Sequence, residues 1–333
     1  VKEAMFYEKL EGGDVRCGLC NQLCRIRPGK RGLCRVRENQ DGVLQTLVYG
    51  KLVAMHIDPI EKKPLYHFMP GHLSYSIATA GCNFRCLHCQ NAGISQVSAE
   101  KEFIPGEMVE PERVVAEALA AGCKSVAYTY TEPTIFFEYA LDVSKLARER
   151  GLKNVFVSNG YMTEEATMAI EPYLDAINID LKGDDDFYKK VCGARLDPVK
   201  RTIELMWSLG IWVEVTTLLI PGYNDSDRDL REAAEFLAGV SPDMPWHVTA
   251  FYPTYKLKDA PPTPAKTIRR AAEIGRDAGI KYVYGGNIPG EDEDTSCPAC
   301  GETLVERFSF RVMRNGVVDG KCPNCGEEVP GVW

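Results

Sequence analysis

Gly81-Cys82-Asn83-Phe84-Arg85-Cys86-Leu87-His88-Cys89-Gln90-Asn91 is the stretch from which the rest of the chain is read. It follows directly on Ser74–Ala80, a short apolar run with the character of a strand. Three thiolates at spacing C-x3-C-x2-C can wrap three corners of a cubane [4Fe–4S] cluster, and no fourth cysteine lies nearby. One iron is then left without a protein ligand, which suits a cluster that binds a substrate rather than one that only carries electrons. The competing reading is a zinc knuckle completed by His88. It is disfavoured because His88 adjoins Cys89, and both would crowd one side of the metal.

Outward from this loop a regular alternation sets in. Ser125–Tyr130, Asn154–Ser158, Ala176–Leu181, Trp212–Leu219, His247–Phe251 and Lys281–Tyr284 repeat the strand pattern, with amphipathic helical runs such as Pro111–Ala121 and Pro133 to Arg150 between them. Six or seven such βαβ units predict an α/β protein built on a partial (β/α)6 TIM-like barrel, whose chemistry collects on the loops after the strands. The expected division is a cysteine-rich segment and linker over 1–70, the barrel over 71–290, and a small module over 295–333. The acidic run Glu291-Asp292-Glu293-Asp294 is expected to be a solvated linker. The chain has 333 residues and a net charge of -8, which speaks against nucleic acid or anionic membranes as general partners. No run approaches 18 uncharged apolar residues and the first residues hold no apolar signal core, so a cytoplasmic protein is expected. Eleven of the 13 cysteines fall into three clusters, and clustered thiols in a reducing compartment read as metal or iron–sulfur ligands.

The middle cluster resembles the signature of the radical S-adenosylmethionine (SAM) superfamily, C-x3-C-x-φ-C after the first barrel strand, with His88 at φ. Further motifs follow in the family's order. Tyr130-Thr131-Glu132-Pro133 stands where the family has Gly-Gly-Glu-Pro. The resemblance implies that this turn holds the SAM amino group through backbone carbonyls and Glu132. Ser158-Asn159-Gly160 and Asn178-Ile179-Asp180-Leu181-Lys182 are similar to the Thr-Asn-Gly and Asp-Leu-Lys of glycyl-radical-enzyme activases such as pyruvate formate-lyase activating enzyme. There the Asp helps hold a cation near the SAM carboxylate and the Lys contacts SAM, roles the resemblance carries to Asp180 and Lys182. The family's chemistry is one-electron cleavage of SAM to a 5′-deoxyadenosyl radical that abstracts a hydrogen atom. Tyr128, Tyr130, Phe136 and Phe137 are expected to offer walls to such a site or to be plain core. Each single motif also has an ordinary reading: Glu132 as a helix-start carboxylate, Lys182 as a surface lysine, Ser158-Asn159-Gly160 as a turn.

Two further thiol sets flank the barrel. Cys297-x2-Cys300 and Cys322-x2-Cys325 are paired knuckles, read as a zinc ribbon in preference to a single-iron, rubredoxin-like site. Phe308, Phe310 and Val312 alternate between them, and Asn315-Gly316 is the expected hairpin turn. Cys17-x2-Cys20-x3-Cys24-x9-Cys34 offers four ligands, which points to a structural or electron-relay site; zinc and [4Fe–4S] both remain open, with a lean to zinc. Residues 16–39 carry seven Arg or Lys against one Glu, read either as a solvated face or as a dock for an acidic electron carrier such as flavodoxin or ferredoxin, or for an anionic substrate. Cys123 is expected to be buried. Cys192, beyond the fourth strand, is a candidate catalytic thiol or hydrogen-atom donor against a structural reading. His56, His67 and His72 are read as structural.

The arrangement as a whole resembles the radical SAM member of the AmmeMemoRadiSam set, which has an N-terminal cysteine motif, the Asp58-Pro-Ile-Glu-Lys-Lys-Pro64 segment and a terminal ribbon of this type. That resemblance implies Amme-type and Memo-type partner proteins and anaerobic chemistry. Three functions are left: an activase placing a glycyl radical on a protein, a radical SAM enzyme acting on a small molecule or another protein residue, and a metal-clipped electron-transfer or binding protein without SAM turnover.

Overall fold

The computed structural model describes residues 1–96, 103–288 and 293–333. The N-terminal segment forms six short strands: β1 (Lys2–Glu3), β2 (Tyr7–Lys9), β3 (Val15–Cys17), β4 (Arg25–Ile26), β5 (Arg37–Gln40) and β6 (Val43–Thr46). They pair antiparallel in two small sheets, β2-β3-β4 and β1-β6-β5. After them come β7 (Lys51–Pro59), β8 (Leu73–Thr79), α1 (Ala92–Ser95), β9 (Glu107–Met108), α2 (Pro111–Ala120) and β10 (Ser125–Tyr128). The series continues with α3 (Phe137–Glu149), β11 (Lys153–Ser158), α4 (Glu164–Ile170), β12 (Ala176–Asp180), α5 (Asp185–Phe187), α6 (Leu196–Ser208) and β13 (Trp212–Leu219). It closes with α7 (Asp227–Val240), β14 (Trp246–Ala250), α8 (Ala265–Asp277) and β15 (Val283–Gly286).

Nine strands form one sheet in the order β15-β14-β13-β12-β11-β10-β8-β7-β9. From β8 to β15 every neighbour is parallel, and β7 and β9 extend the edge antiparallel. The parallel strands are buried on both faces, which is why they read as apolar runs rather than as strict alternation. Helices cover one face: α3 lies against β10 and β11, and α8 against β14 and β15. Gly275 lets α8 approach closely, since a Cβ there would stand 2.9 Å from the Trp246 ring.

The other face is filled near the strand starts by the Pro-rich stretch. Ile60, Leu65 and Phe68 pack on Ala127, Val155 and Ala176. The buried Glu214 carboxylate accepts from the Tyr66 and His67 backbone N–H groups at 2.9 and 2.7 Å, which satisfies these two donors inside the sheet. His67 and His72 are structural as expected: His67 bonds Pro330 O and Tyr284, and His72 bonds Met69 O and Ser125. With the strand starts plugged, open chemistry is left to the opposite ends.

The last module comprises β16 (Thr295–Ser296), β17 (Thr303–Phe308) and β18 (Arg311–Asn315), all antiparallel. Its hairpin turns at Ser309-Phe310, not at Asn315-Gly316. Phe308 pairs with Arg311 across it, Ser309 takes φ 56°, and Phe308 and Phe310 lie exposed at the tip. The Asn315 side chain instead accepts from Val317 N as the chain leaves β18. The acidic run is only partly describable, since Gly290, Glu291 and Asp292 lie outside the described residues. Its second half is not a free linker: Asp294 accepts from Arg307 N, and Glu293 accepts from Ser309 N. Arg307, itself buried, donates to Tyr66 O and so docks the module on the plug. Among the described residues no helix is long and apolar enough to cross a membrane.

Candidate functional site

The cysteine loop leaves β8 at Gly81, whose φ of 104° and crowding only glycine tolerates. A Cβ there would meet Val36 Cγ1 at 2.7 Å and Cys34 O at 2.9 Å. Backbone bonds then fix the loop from both sides. Arg85 N donates to Cys192 O at 2.8 Å and Leu87 N to Val191 O at 2.9 Å, across to the π-turn Tyr188–Cys192. Gln22 donates from the N-terminal segment to Asn83 O at 2.9 Å and Gly193 O at 3.1 Å. Gln22 and Asn83 were not legible as functional positions; nothing in their spacing marks them.

Cys82, Cys86 and Cys89 are free thiols on this loop, Cys86 buried and the other two half-buried. Ser95 Oγ stands 3.1 Å from Cys89 Sγ, and Phe84 N and Asn159 Nδ2 point at Cys82 Sγ from 3.4 and 3.9 Å. Burial and the nearby Glu132 carboxylate push the Cys82 thiol well up. The Cys192 thiol, together with burial, does the same to Cys86. Such thiols become good ligands when a cation takes them as thiolates. Cys192 itself is fully buried against Cys86, and Cys123 is buried as expected. His88 is also buried; burial and the Lys182 charge hold it neutral, down to about 3, and its Nδ1 has no partner.

The turn after β10 meets the loop through Glu132. This carboxylate is buried and accepts four bonds from the chain itself. Oε1 takes Thr134 N at 3.1 Å, Thr134 Oγ1 at 2.6 Å and Ser158 Oγ at 2.8 Å, while Oε2 takes Asn159 N at 2.8 Å. Burial nonetheless raises its pKa, with those bonds working against the rise. Asn159 in turn donates to Asn83 Oδ1 at 2.7 Å, so Glu132, Ser158, Asn159 and the cysteine loop form one connected network. Gly160, at φ 67°, packs so close to Ile179 that a Cβ would stand 2.8 Å from it.

Tyr130 holds φ 61°, its carbonyl accepts from Asn91 at 2.7 Å, and its hydroxyl bonds Asp58. Thr131 Oγ1 donates to Thr79 O at 2.9 Å. Of the four aromatic residues considered as walls, Tyr128, Phe136 and Phe137 are fully buried core; Tyr130 is the partly exposed one. Tyr128 points its hydroxyl to Asn154 and Ser144, on the helix side of the sheet. At the end of β12, Lys182 Nζ pairs with Asp180 at 2.7 Å. Burial opposes the Lys182 charge, but Asp180, Cys86 and Cys192 outweigh it and hold the ammonium firmly protonated. His247 sits near the start of β14 against Glu214 at 2.6 Å, remote from these loops.

The structure therefore brings Cys82, Cys86, Cys89, Glu132, Ser158, Asn159, Asp180 and Lys182 to the strand ends opposite the plug. It adds Asn83 and Asn91, and the Tyr130 side chain reaches from there to the buried Asp58–Lys63 pair of the plug (2.7 Å), whose ammonium lies 4.5 Å from the Tyr130 ring centre. At the far end, Cys297, Cys300, Cys322 and Cys325 have their sulfurs within 4.8 Å of one another, with contacts of 3.6 and 3.7 Å. A tetrahedral ion with about 2.3 Å metal–sulfur bonds requires about 3.8 Å between sulfurs. The four cysteines of the N-terminal segment line one cavity together with Asn83.

A sequence model of the radical SAM superfamily matches residues 76–237. An uncharacterized protein of Methanocaldococcus jannaschii is 47% identical over 333 residues, 99% of each chain. The pyruvate formate-lyase-activating enzyme of Clostridium pasteurianum is 22% identical over 48% of this chain and 67% of its own. Among solved structures, Streptococcus suis SuiB bound to S-adenosylmethionine shares the fold at TM-score 0.51 and 14% identity, over 68% of this chain and 52% of SuiB. This chain thus corresponds to about half of that larger protein.

Proposed function

This chain belongs to the radical SAM superfamily, and from that premise we propose that it is an activase-like enzyme using Cys82, Cys86 and Cys89 as ligands of a [4Fe–4S] cluster and SAM as co-reactant. The observation that carries the reading is the set of three free thiols on one pinned loop, tied through Asn83 and Asn159 to Glu132. The donor set fits such a cluster. It consists of three thiols and no fourth cysteine from the same loop, with the His88 ring buried beside Cys89 and a firmly protonated Lys182 beside Cys86 to offset thiolate charge. When bound, the cluster and SAM supply one-electron cleavage to a 5′-deoxyadenosyl radical that takes a hydrogen atom from substrate.

The chain's own work is positioning. Glu132 draws the Tyr130–Pro133 turn and the Ser158–Gly160 loop onto one carboxylate, which orients the backbone carbonyls of the turn as acceptors for an ammonium group. Asn159 fixes Asn83 and turns its amide toward the Cys82 sulfur. Lys182 and Asp180 present a paired charge at the strand ends, suited to a carboxylate and an ammonium. We read the sheet as a partial (β/α)6 barrel and the terminal module as a zinc ribbon, on the sulfur spacing above. The flanking thiol modules favour the second reading, radical chemistry on a small molecule or a residue other than glycine. They also suit the AmmeMemoRadiSam type with its Amme-type and Memo-type partners. Thirteen free thiols and a basic N-terminal face suit a reducing setting and an acidic flavodoxin-like or ferredoxin-like donor.

The test is anaerobic: reconstitute with iron and sulfide, reduce, add SAM, and assay 5′-deoxyadenosine by mass spectrometry. Product is expected from the wild type and none from a variant with Cys82, Cys86 and Cys89 changed to Ala. Absence of product from a protein that demonstrably binds cluster and SAM would leave the electron-transfer reading in its place.

A further inference from the structure

Cys17 ends β3, Cys24 precedes β4, Cys20 lies on the hairpin between them, and Cys34 arrives on the loop before β5. Cys17 N donates to Cys24 O at 3.0 Å, which brings the hairpin ends together. Leu23 and Arg35, next to Cys24 and Cys34, hold φ of 45° and 68°, a left-handed geometry that turns the chain back toward a common centre. All four are free thiols, and Cys17, Cys20 and Cys34 are buried. Four unpaired thiols facing one another in a buried spot serve no packing purpose that apolar side chains would not serve better.

The spacing of the sulfurs decides what they hold. The four cysteines, with Arg37 and Asn83, line one cavity of about 20 Å³. A single tetrahedral ion would draw its sulfurs to about 2.3 Å from the centre, about 3.8 Å from one another. The sulfurs are more widely set than in the C-terminal module, which among the described residues is the one group of metal-type side chains drawn within 4.8 Å of one another. The corners of a cubane stand farther apart than the vertices of a single-ion site, so the wider set fits a polynuclear group. The buried Arg37, salt-bridged to Glu138, adds a fixed positive charge beside the thiolates.

We propose that Cys17, Cys20, Cys24 and Cys34 ligate a second iron–sulfur cluster of the [4Fe–4S] type, fully coordinated by protein, rather than the zinc ion toward which their spacing leans. The site stands beside the loop of Cys82: Asn83 lines its cavity, and Gln22, between Cys20 and Cys24, grips Asn83 O. It does not depend on the function proposed above, because it concerns ligands that SAM does not touch.

The test is the metal content of the full chain reconstituted anaerobically. The wild type is expected to hold about eight iron and about eight sulfide per chain, with about one zinc in the terminal module. The variant with Cys82, Cys86 and Cys89 changed to Ala is expected to keep about half of that iron. Its reduced cluster should give an electron paramagnetic resonance signal that SAM leaves unchanged. A Cys20→Ala, Cys34→Ala variant should lose the complementary half. Wild type with about four iron and about two zinc, or a triple variant free of iron, would overturn the proposal. Should either variant fail to fold, the wild-type iron-to-zinc ratio decides alone. If the second cluster is present but no signal responds to SAM, the reading of the Cys82 loop fails and this one stands.

Discussion

Changing Glu132 to Gln removes a single charge and no volume, and the geometry sets its cost. The carboxylate accepts three bonds at Oε1 and one at Oε2, all from buried donors. A glutamine retains one accepting oxygen. Its best placement puts that oxygen where the two Thr134 donors and Ser158 Oγ converge, which turns the amide N–H group toward Asn159 N, donor against donor. The loss is one bond to a charged acceptor, about 1.5–3 kcal/mol, together with an unsatisfied buried N–H of about 1–3 kcal/mol. The two overlap, and relief of the buried charge gives some back. A net destabilisation of about 2–3 kcal/mol results. It should appear in anaerobic urea unfolding as a lower midpoint at unchanged slope. Because Asn159 also fixes Asn83 beside Cys82, 5′-deoxyadenosine formation should fall at least about tenfold, equivalent to about 1.4 kcal/mol. Unaltered unfolding with a raised KM for SAM alone would refute the reasoning and make Glu132 a direct SAM contact rather than a positioning residue.

The remaining predictions concern the frame and the donor. Burial holds His67 down to about 4 from 6.5, so the unfolded chain takes up a proton that the folded chain refuses. Its contribution is therefore complete above about pH 6.5 and lost as pH falls toward 4, a loss of about 3 kcal/mol. His67→Gln should flatten the stability profile in that window, and an unchanged slope would exclude His67 as its cause. Glu138→Gln leaves Arg37 buried without its bidentate partner and should cost about 3–5 kcal/mol in unfolding, with the N-terminal segment becoming sensitive to protease first. Replacing Arg25, Arg27 and Arg35 with Glu should slow reduction by an acidic flavodoxin, most clearly at low salt. Stopped-flow rates equal to wild type would remove the docking face.

Much of the fold was legible because parallel strands buried on both faces leave short apolar runs between amphipathic helices. Trp212–Leu219 matches its strand residue for residue, and the others fall within two residues of theirs. The Asn315-Gly316 turn failed for a local reason: a favourable dipeptide competes with register. The pairing of Phe308 with Arg311 set the turn two residues into the aromatic run. Of the two readings of the aromatic set, plain core holds for Tyr128, Phe136 and Phe137: Tyr128 turns to the helix side of its strand, Phe136 ends the turn before α3, and Phe137 begins that helix.

Ligand identity is covalent information, and so the sequence by itself determined the three thiol sets, the order of motifs after successive strands and the family they belong to. Partnership is spatial. Only the tertiary structure decided that Glu132 spends its carboxylate on the chain, that Cys192 lies sealed against Cys86, and that Gln22 reaches across 61 residues to Asn83. Those contacts join segments distant in sequence, and a spacing rule reads only neighbours. The width of the Cys17–Cys34 site belongs to the same class: four letters name four ligands, while the distance between their sulfurs is set by the hairpin, the left-handed turns and the loop they rest on.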